Sequence, residues 1–192
     1  FRISFSGELA YELALPRRYA ASFMNKITET GKKFDLVPYG TEALGVMRIE
    51  KGHAAGNELN GQTTANNLGL GKMVSKLNDC IGNTMSERKE FNRKDALKLV
   101  GFIPTDEMQS LVAGSHFISK GKTATLENDE GWMSSVAFSP MLEKSIGLGF
   151  IKEGDQRFGE KVDAVNPLNK EVVEVQIISP HFFDPKGERL RG

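Results

Sequence analysis

Alternating hydrophobic and polar residues at the start of the chain predict a short β-hairpin. Phe1, Ile3 and Phe5 share one side of an extended segment, and a second alternation covers residues 11–15 after Gly7. Successive side chains of a strand point to opposite faces, so this pattern is typical of half-buried strands. We therefore expect two paired strands at the beginning of the chain.

Two helices are predicted next. Tyr19, Phe23 and Ile27 recur every four residues after Pro16, which indicates an amphipathic helix ending near Gly31. A second helix is predicted over residues 41–50, followed by Gly52. Thr41 is expected to cap this helix, and Ala43, Leu44 and Met47 are expected to be buried. The polar segment 53–67 is predicted to be a long loop, and long ordered loops often carry function.

The second half of the chain is typical of an all-β structure. A short charged helix is predicted over residues 84–91, and residues 87–95 are the best linker candidate. Seven apolar segments separated by turn residues are then expected to be strands, namely 97–103, 114–119, 122–126, 132–138, 145–151, 160–165 and 171–178. The predicted class is α+β, with an antiparallel sheet and flanking helices in residues 1–92 and a C-terminal antiparallel β-barrel in residues 93–192.

Composition narrows the possible classes of function. The 192 residues include 25 Lys plus Arg and 25 Asp plus Glu, so the cationic surplus of a dedicated nucleic-acid binder is missing. No stretch approaches the roughly 18 apolar residues of a membrane span. The single cysteine cannot form an internal disulfide and favours a reducing compartment. The first segment is neither a charged leader nor an apolar signal sequence, so a cytoplasmic location is expected. Because the chain opens on Phe1 within a strand pattern, we expect it to begin inside a larger protein.

The usual catalytic and metal-binding motifs are not found. His53, His116 and His181 are far apart in the sequence, so no zinc pattern is present, and each is expected to be structural or on the surface. Cys80 has no flanking base and is expected to be an inert thiol. Residues 69–71 form a lone G-x-G without the third glycine of a phosphate-binding loop.

Glu12 is the candidate binding residue that the chemistry of the side chains suggests. It lies on a predicted strand whose other face is apolar, so a covered Glu12 would have to pair or bind a ligand. A carboxylate can accept both N–H donors of a pterin or guanine-type ring, and such charge-assisted pairs are strong. An ordinary exposed strand carboxylate remains the alternative, since charged residues mostly lie outside.

Several motifs, in order along the chain, resemble those of the folate-dependent aminomethyltransferase family, which includes the glycine cleavage T-protein. They are FSGELAYEL (5–13), GTEALGVMRIEKG (40–52), DCIG (79–82), SS (134–135), FSPML (138–142) and SI (145–146). The helix start Gly40-Thr41-Glu42-Ala43 and the tail 183–192 resemble one branch of this family, the alpha subunits of heterotetrameric sarcosine oxidases.

This resemblance implies a function for the whole protein. A flavin site elsewhere would oxidise sarcosine, and a tetrahydrofolate site would capture the one-carbon unit as 5,10-methylenetetrahydrofolate. The partners would be the beta, gamma and delta subunits, and NAD, FAD and FMN would bind outside this chain. The family's catalytic aspartate would lie upstream of Phe1, so the chain alone is expected to be inactive.

The resemblance also assigns folate contacts. The family's pterin-binding glutamate corresponds to Glu12, and Leu13 and Ala14 would line the ring. Phe5 stands where the family has a tyrosine, so it can stack but has no hydroxyl, and Lys72 replaces an aromatic residue and could approach the glutamate tail of the folate.

Two alternatives stay open. One is a glycine cleavage aminomethyltransferase or a protein like dimethylglycine dehydrogenase. The other is a non-catalytic interaction module with a decayed pocket, which the departures at Phe5 and Lys72 would explain.

Overall fold

A computed structural model describes residues 1–74 and 81–191. Residues 75–80 and Gly192 lie outside the described residues, and with them Cys80 and the first half of the DCIG motif. In the described part, three α-helices precede the strands, namely α1 (Ala20–Gly31), α2 (Thr41–Lys51) and α3 (Asn83–Ser86). Short 3₁₀ helices flank α1 at Arg17–Tyr19 and Lys32–Phe34, and no described helix is long and apolar enough to cross a membrane.

The second half of the chain forms a closed antiparallel barrel. Its six strands within residues 81–191 are β1 (Leu97–Pro104), β2 (His116–Ser119), β3 (Asp129–Ser139), β4 (Lys144–Lys152), β5 (Lys161–Val165) and β6 (Val172–Ile178). They follow the order β1-β4-β3-β2-β5-β6, and pairing of β1 with β6 closes the ring. Closure removes the exposed edges that an open sheet would leave. The prediction of helices followed by an antiparallel barrel is confirmed.

The barrel interior is apolar and tightly packed. Phe102 and Phe117 stack with their ring centroids 4.0 Å apart, and both are fully buried. Gly131 has a φ of +149°, and a Cβ atom there would lie 1.9 Å from the carbonyl oxygen of Phe150. A glycine is therefore required where β3 approaches β4.

Helix α2 packs on the outside of the barrel. Ile49 at its C-terminal end joins a second apolar cluster with the outward side chains of β1 and β4, namely Leu99, Ile146, Leu148 and Phe150. Gly52 ends the helix at a φ of 77°, the left-handed conformation that glycine adopts without strain. This contact fixes the position of the helical region relative to the barrel.

Several local predictions are wrong. Residues 1–5 and 11–15 form no strands, although the backbones of Phe1 and Glu12 exchange a pair of hydrogen bonds of 2.8 Å. An isolated two-stranded pair is marginal in water, and no further described strand pairs with this one.

The remaining differences concern one strand and one helix. Residues 122–126 form a loop that ends in a 3₁₀ turn, because β3 begins only at Asp129. The cap of α2 is Gly40 instead of Thr41, and Ala43 is exposed, since α2 contacts the barrel through its last turn. The proposed division at residues 92/93 stays a prediction.

Candidate functional site

A buried ion pair joins the end of α2 to the barrel. Arg48 Nη1 donates to Glu58 Oε2 at 2.9 Å, and Arg48 Nη2 donates to Ser135 Oγ at 2.8 Å. The Glu58 side chain is 0% exposed, and Ser134 and Ser135 of β3 donate to its Oε1 at 2.5 and 2.6 Å. The backbone N–H of Ala55 donates to Glu58 Oε2 at 3.0 Å. A buried charge is stable only when it is paired and hydrogen-bonded, and Glu58 meets this condition.

These partners decide the ionisation of Glu58. Burial alone would raise the pKa of the carboxyl, because it disfavours the charged form. The hydrogen bonds from Ser134, Ser135 and the Ala55 backbone, together with the charge of Arg48, outweigh burial and hold the pKa of Glu58 below its usual value. Glu58 is therefore a carboxylate at neutral pH and keeps the loop after α2 on the barrel.

The next residues of α2 hold the C-terminal tail. Ser139 Oγ donates to Glu50 Oε1 at 2.5 Å, and Lys51 Nζ donates to the carbonyl and to Oδ2 of Asp184 at 2.6 and 3.0 Å. His181 Nδ1 lies 2.9 Å from the carbonyl oxygen of Lys51, so the protonated Nδ1 donates this bond. The last turn of α2 therefore fixes both the barrel and the tail.

The N-terminal segment lies against the same structure. His53 Nδ1 donates to the carbonyl oxygen of Phe5 at 2.9 Å, and Arg2 Nη2 donates to the carbonyl oxygens of Leu190 and Arg191 at 3.2 and 3.1 Å. A cleft of about 430 Å³ lies between the segment and the tail, lined by Arg2, Ser4, Ala10, His53, Leu190 and Arg191. With two arginines and a histidine in its lining, this cleft is suited to an anionic group.

The five predicted folate contacts are not gathered in one cavity by the described residues. Glu12 is exposed, and its carboxylate has no partner in this part of the chain. Leu13 is 62% exposed and Ala14 is also exposed, whereas Phe5 is 39% exposed and its ring is tilted at 6.5 Å from that of His53. Lys72 lies apart from these side chains, in the lining of a cleft of about 750 Å³ that also contains Asn66 and Asn92.

Sequence reasoning missed the residues that build this region. Arg48 and Glu58 lie ten positions apart, and Glu58 belongs to a segment predicted to be a polar loop. Its burial depends on β3, which is far away in the sequence, so no local pattern distinguishes it from an exposed loop carboxylate. The motif of residues 40–52, which contains Arg48, was the sequence signal that could have identified this region.

Within residues 1–74 and 81–191, no group of three or more His, Cys, Asp or Glu side chains is placed to hold a metal ion.

Comparison with models of protein families identifies the family of this chain. The GCVT N-terminal domain matches residues 1–78, and the glycine cleavage T-protein C-terminal barrel domain matches residues 98–184, so the two together span most of the chain. The chain belongs to the glycine cleavage T-protein family. Its barrel, β1–β6, is the C-terminal barrel of that family.

Similar T-protein-family members carry two kinds of name. "Sarcosine oxidase subunit alpha" of Rhizobium meliloti (strain 1021) is 47% identical over 191 residues, which are 99% of this chain and 19% of that protein. The protein of the same name from Corynebacterium sp. (strain P-1) is 37% identical over all of this chain and 20% of its own length. "Aminomethyltransferase" of Caldanaerobacter subterraneus subsp. tengcongensis is 30% identical over 95% of this chain and 46% of its own length.

A solved structure confirms the fold. The glycine cleavage system aminomethyltransferase T from Bartonella henselae superimposes with a TM-score of 0.80 over 96% of this chain and 49% of that chain, at 21% identity. By the sequence matches above, the chain covers about a fifth of the length of the sarcosine oxidase subunits and about half of the length of the aminomethyltransferases. It is related to enzymes of both names.

Proposed function

We propose that this T-protein-family chain is the tetrahydrofolate-binding region of a sarcosine oxidase alpha subunit. The observation that carries the proposal is the 47% identity over 99% of the chain to a protein of that name, against 30% for the aminomethyltransferase of Caldanaerobacter subterraneus. The alternative of a stand-alone aminomethyltransferase is less favoured on the same comparison. The partners would be the beta, gamma and delta subunits, with NAD, FAD and FMN bound outside this chain.

One side chain of the N-terminal segment, the Glu12 carboxylate, could pair with the polar edge of a reduced pterin. The Glu12 carboxylate is the acceptor, and it is available because no described residue donates to it. Both N–H donors on the pterin edge can bond to one carboxylate, which makes a charge-assisted pair. Glu8 of the same segment is ion-paired with Arg189 at 3.1 Å, whereas the Glu12 carboxylate has no described partner. This difference supports a role for Glu12 in binding.

The remaining proposed contacts supply apolar surface and charge. Phe5 is fixed by the bond from His53 to its carbonyl oxygen and leaves part of its ring accessible for stacking. Leu13 and Ala14 are exposed beside Glu12 and would lie along the ring, while Lys72 would meet the glutamate tail. Tetrahydrofolate, when bound, accepts the one-carbon unit and becomes 5,10-methylenetetrahydrofolate. The residues of this chain hold and orient it, and no catalytic group is proposed among them.

The test is calorimetry of the full-length subunit with 5-formyltetrahydrofolate. We expect Glu12→Gln to weaken binding at least tenfold, because a hydrogen bond to a charged group contributes about 1.5–3 kcal/mol. Glu8→Gln is the matched control, since its carboxylate lies in the same segment but is held by Arg189, and it should leave the affinity unchanged.

Unchanged affinity in Glu12→Gln would overturn the assignment of Glu12. If the wild-type subunit binds no folate while the subunits still associate, the region is instead a non-catalytic interaction module.

A further inference from the structure

Lys51, the last residue of α2, is buried between the N-terminal segment and the C-terminal tail. Lysine is almost never buried unless its charge is paired, and here Nζ donates to the carbonyl oxygen and to Oδ2 of Asp184 at 2.6 and 3.0 Å. The side chains of Lys51 and Asp184 are each only 10% exposed. The tail therefore supplies the partner that the buried ammonium group needs.

The methylene stem of Lys51 supports a turn of the N-terminal segment at Gly7. A Cβ atom built on Gly7 would lie 2.6 Å from both Cγ and Cδ of Lys51, so the backbone of the turn lies directly on the stem. Gly7 has a φ of +88°, which L side chains rarely adopt, and its N–H donates to Ser4 Oγ at 3.0 Å. A lysine can bury its stem against one surface while its ammonium group binds another. Lys51 thus contacts the segment and the tail at the same time.

The Gly7 turn belongs to the segment that carries the proposed folate contacts. Phe5 lies two residues before the turn, and the backbone N–H of Glu12 donates to the carbonyl oxygen of Phe1 at 2.8 Å, so the segment folds back on itself. Arg2 donates to two carbonyl oxygens of the tail at 3.2 and 3.1 Å. A displacement of the turn would therefore move Phe5 and Glu12 with it.

A second link between the segment and the tail is weaker. It is the ion pair of Glu8 with Arg189, and both of its side chains are exposed, so water screens the attraction. Asp184, by contrast, also accepts from the backbone N–H groups of Glu188 and Arg189 at 2.8 and 3.2 Å, so the tail is ordered at the point where Lys51 reaches it. The pair of Lys51 with Asp184 is the link that burial protects.

We propose that Lys51 is a positioning residue of the folate site. It holds the segment of Phe5 and Glu12 in the binding position by joining it to the tail, and it acts through that segment instead of contacting the ligand. This inference rests on the proposed folate site and assigns to it a residue outside the predicted contacts. When the link is cut, the apparent affinity falls in proportion to the fraction of molecules whose segment is correctly placed.

The test is calorimetry of the full-length subunit with 5-formyltetrahydrofolate. Lys51→Met keeps an unbranched stem and removes the ammonium group, so folate should bind about fivefold more weakly. Asp184→Asn keeps the shape of the partner and should act in the same direction, which preserves the test if Lys51→Met does not fold. Lys144→Met is the matched control and should leave the affinity unchanged, because the ion pair of Lys144 with Glu107 involves neither the segment nor the tail.

Two further measurements separate positioning from a general loss of stability. Amide hydrogen exchange in Lys51→Met should become faster at Gly7 and Glu12 and stay unchanged in strands β3 and β4. In the Glu12→Gln background, Lys51→Met should weaken folate by less than about twofold, because the contact through which it acts has already been removed.

The outcomes distinguish this inference from the proposed function. Wild-type affinity in both Lys51→Met and Asp184→Asn, equal losses with and without Glu12→Gln, or exchange that rises equally in the segment and the barrel would each overturn the positioning role alone. A wild-type subunit that binds no folate would overturn the proposed function and this inference together.

Discussion

The barrel and the N-terminal region place similar apolar side chains in opposite environments. Phe102, Phe117 and Phe150 of the barrel are 0% exposed, whereas Phe34 and Val37 near the N-terminus are 72% and 74% exposed. The barrel closes on itself, so each strand finds two neighbours and each inward side chain is covered. Helix α1 contacts chiefly the short 3₁₀ helices that flank it.

The difference shows that an amphipathic pattern does not itself create a core. Tyr19, Phe23 and Ile27 repeat at helical spacing, and α1 forms as predicted, yet Tyr19 remains 50% exposed and the other two are only partly buried. Most of the stability of a helix in a protein comes from packing of its apolar face, and in the described residues little covers this one. The region is held mainly through the end of α2 and the polar contacts of the N-terminal segment with the tail.

The largest expected effect tests whether burial separates the two regions. Phe102→Ala should lower the free energy of unfolding by about 3–5 kcal/mol, because it leaves a cavity in the barrel core. Phe34→Ala should change it by less than about 0.5 kcal/mol, since its ring is mostly in solvent. Urea denaturation of both variants measures the difference, and losses of equal size would show that the N-terminal region is packed as tightly as the barrel.

The second prediction concerns the junction between the regions. Glu58→Ala removes the partner of Arg48, whose side chain is only 12% exposed, and should cost about 3 kcal/mol or more of unfolding free energy. Glu29→Ala is the control, because Glu29 is 75% exposed on α1 and should be nearly neutral. If the two variants melt at the same temperature, the Arg48–Glu58 pair does not join α2 to the barrel.

Two glycine substitutions compare the backbones of the two regions. Gly131→Ala should destabilise the barrel by about 2 kcal/mol or more, because its Cβ atom would overlap the Phe150 carbonyl. Gly61→Ala should be neutral or slightly stabilising, since the loop leaves open space at that position. Denaturation midpoints measure both, and tolerance of alanine at residue 131 would argue against the close approach of β3 and β4.

The smallest expected effect is the pH dependence of the junction. The pKa of Glu58 is lowered in the folded protein, so the carboxylate stabilises the fold fully above its unfolded pKa, near 4.5. This contribution is lost as the pH falls through the lower folded value. The advantage in unfolding free energy of wild type over Glu58→Gln should therefore shrink on acidification below about pH 4.5, measured by denaturation from pH 7 to pH 3. A constant difference over this range would contradict the ionised state.

The barrel was largely predictable because its signals are local. Six of the seven predicted strands exist, with ends that differ by one to a few residues, since alternating apolar residues and turn residues mark each of them. The segment 122–126 departs from this local rule, because it pairs with no described strand and Leu126 is 93% exposed at the start of a 3₁₀ turn.

The candidate site was less predictable because its contacts join distant residues. The hydrogen bond from Ser135 to Glu58 spans 77 positions, and the bond from Lys51 to Asp184 spans 133. The sequence motif pointed to Glu12, and the structure leaves that carboxylate exposed and free, so its assignment to folate stays a prediction.

The sequence by itself determined the two main helices, the six strands of the barrel, the class of the fold and the family, because periodicity, turn residues and short motifs are encoded within a few neighbouring positions. Only the tertiary structure decided that Glu58 is a buried carboxylate and that the last turn of α2 holds both the barrel and the tail. Burial and hydrogen bonding depend on which distant segments come together, and a local pattern contains no information about those neighbours.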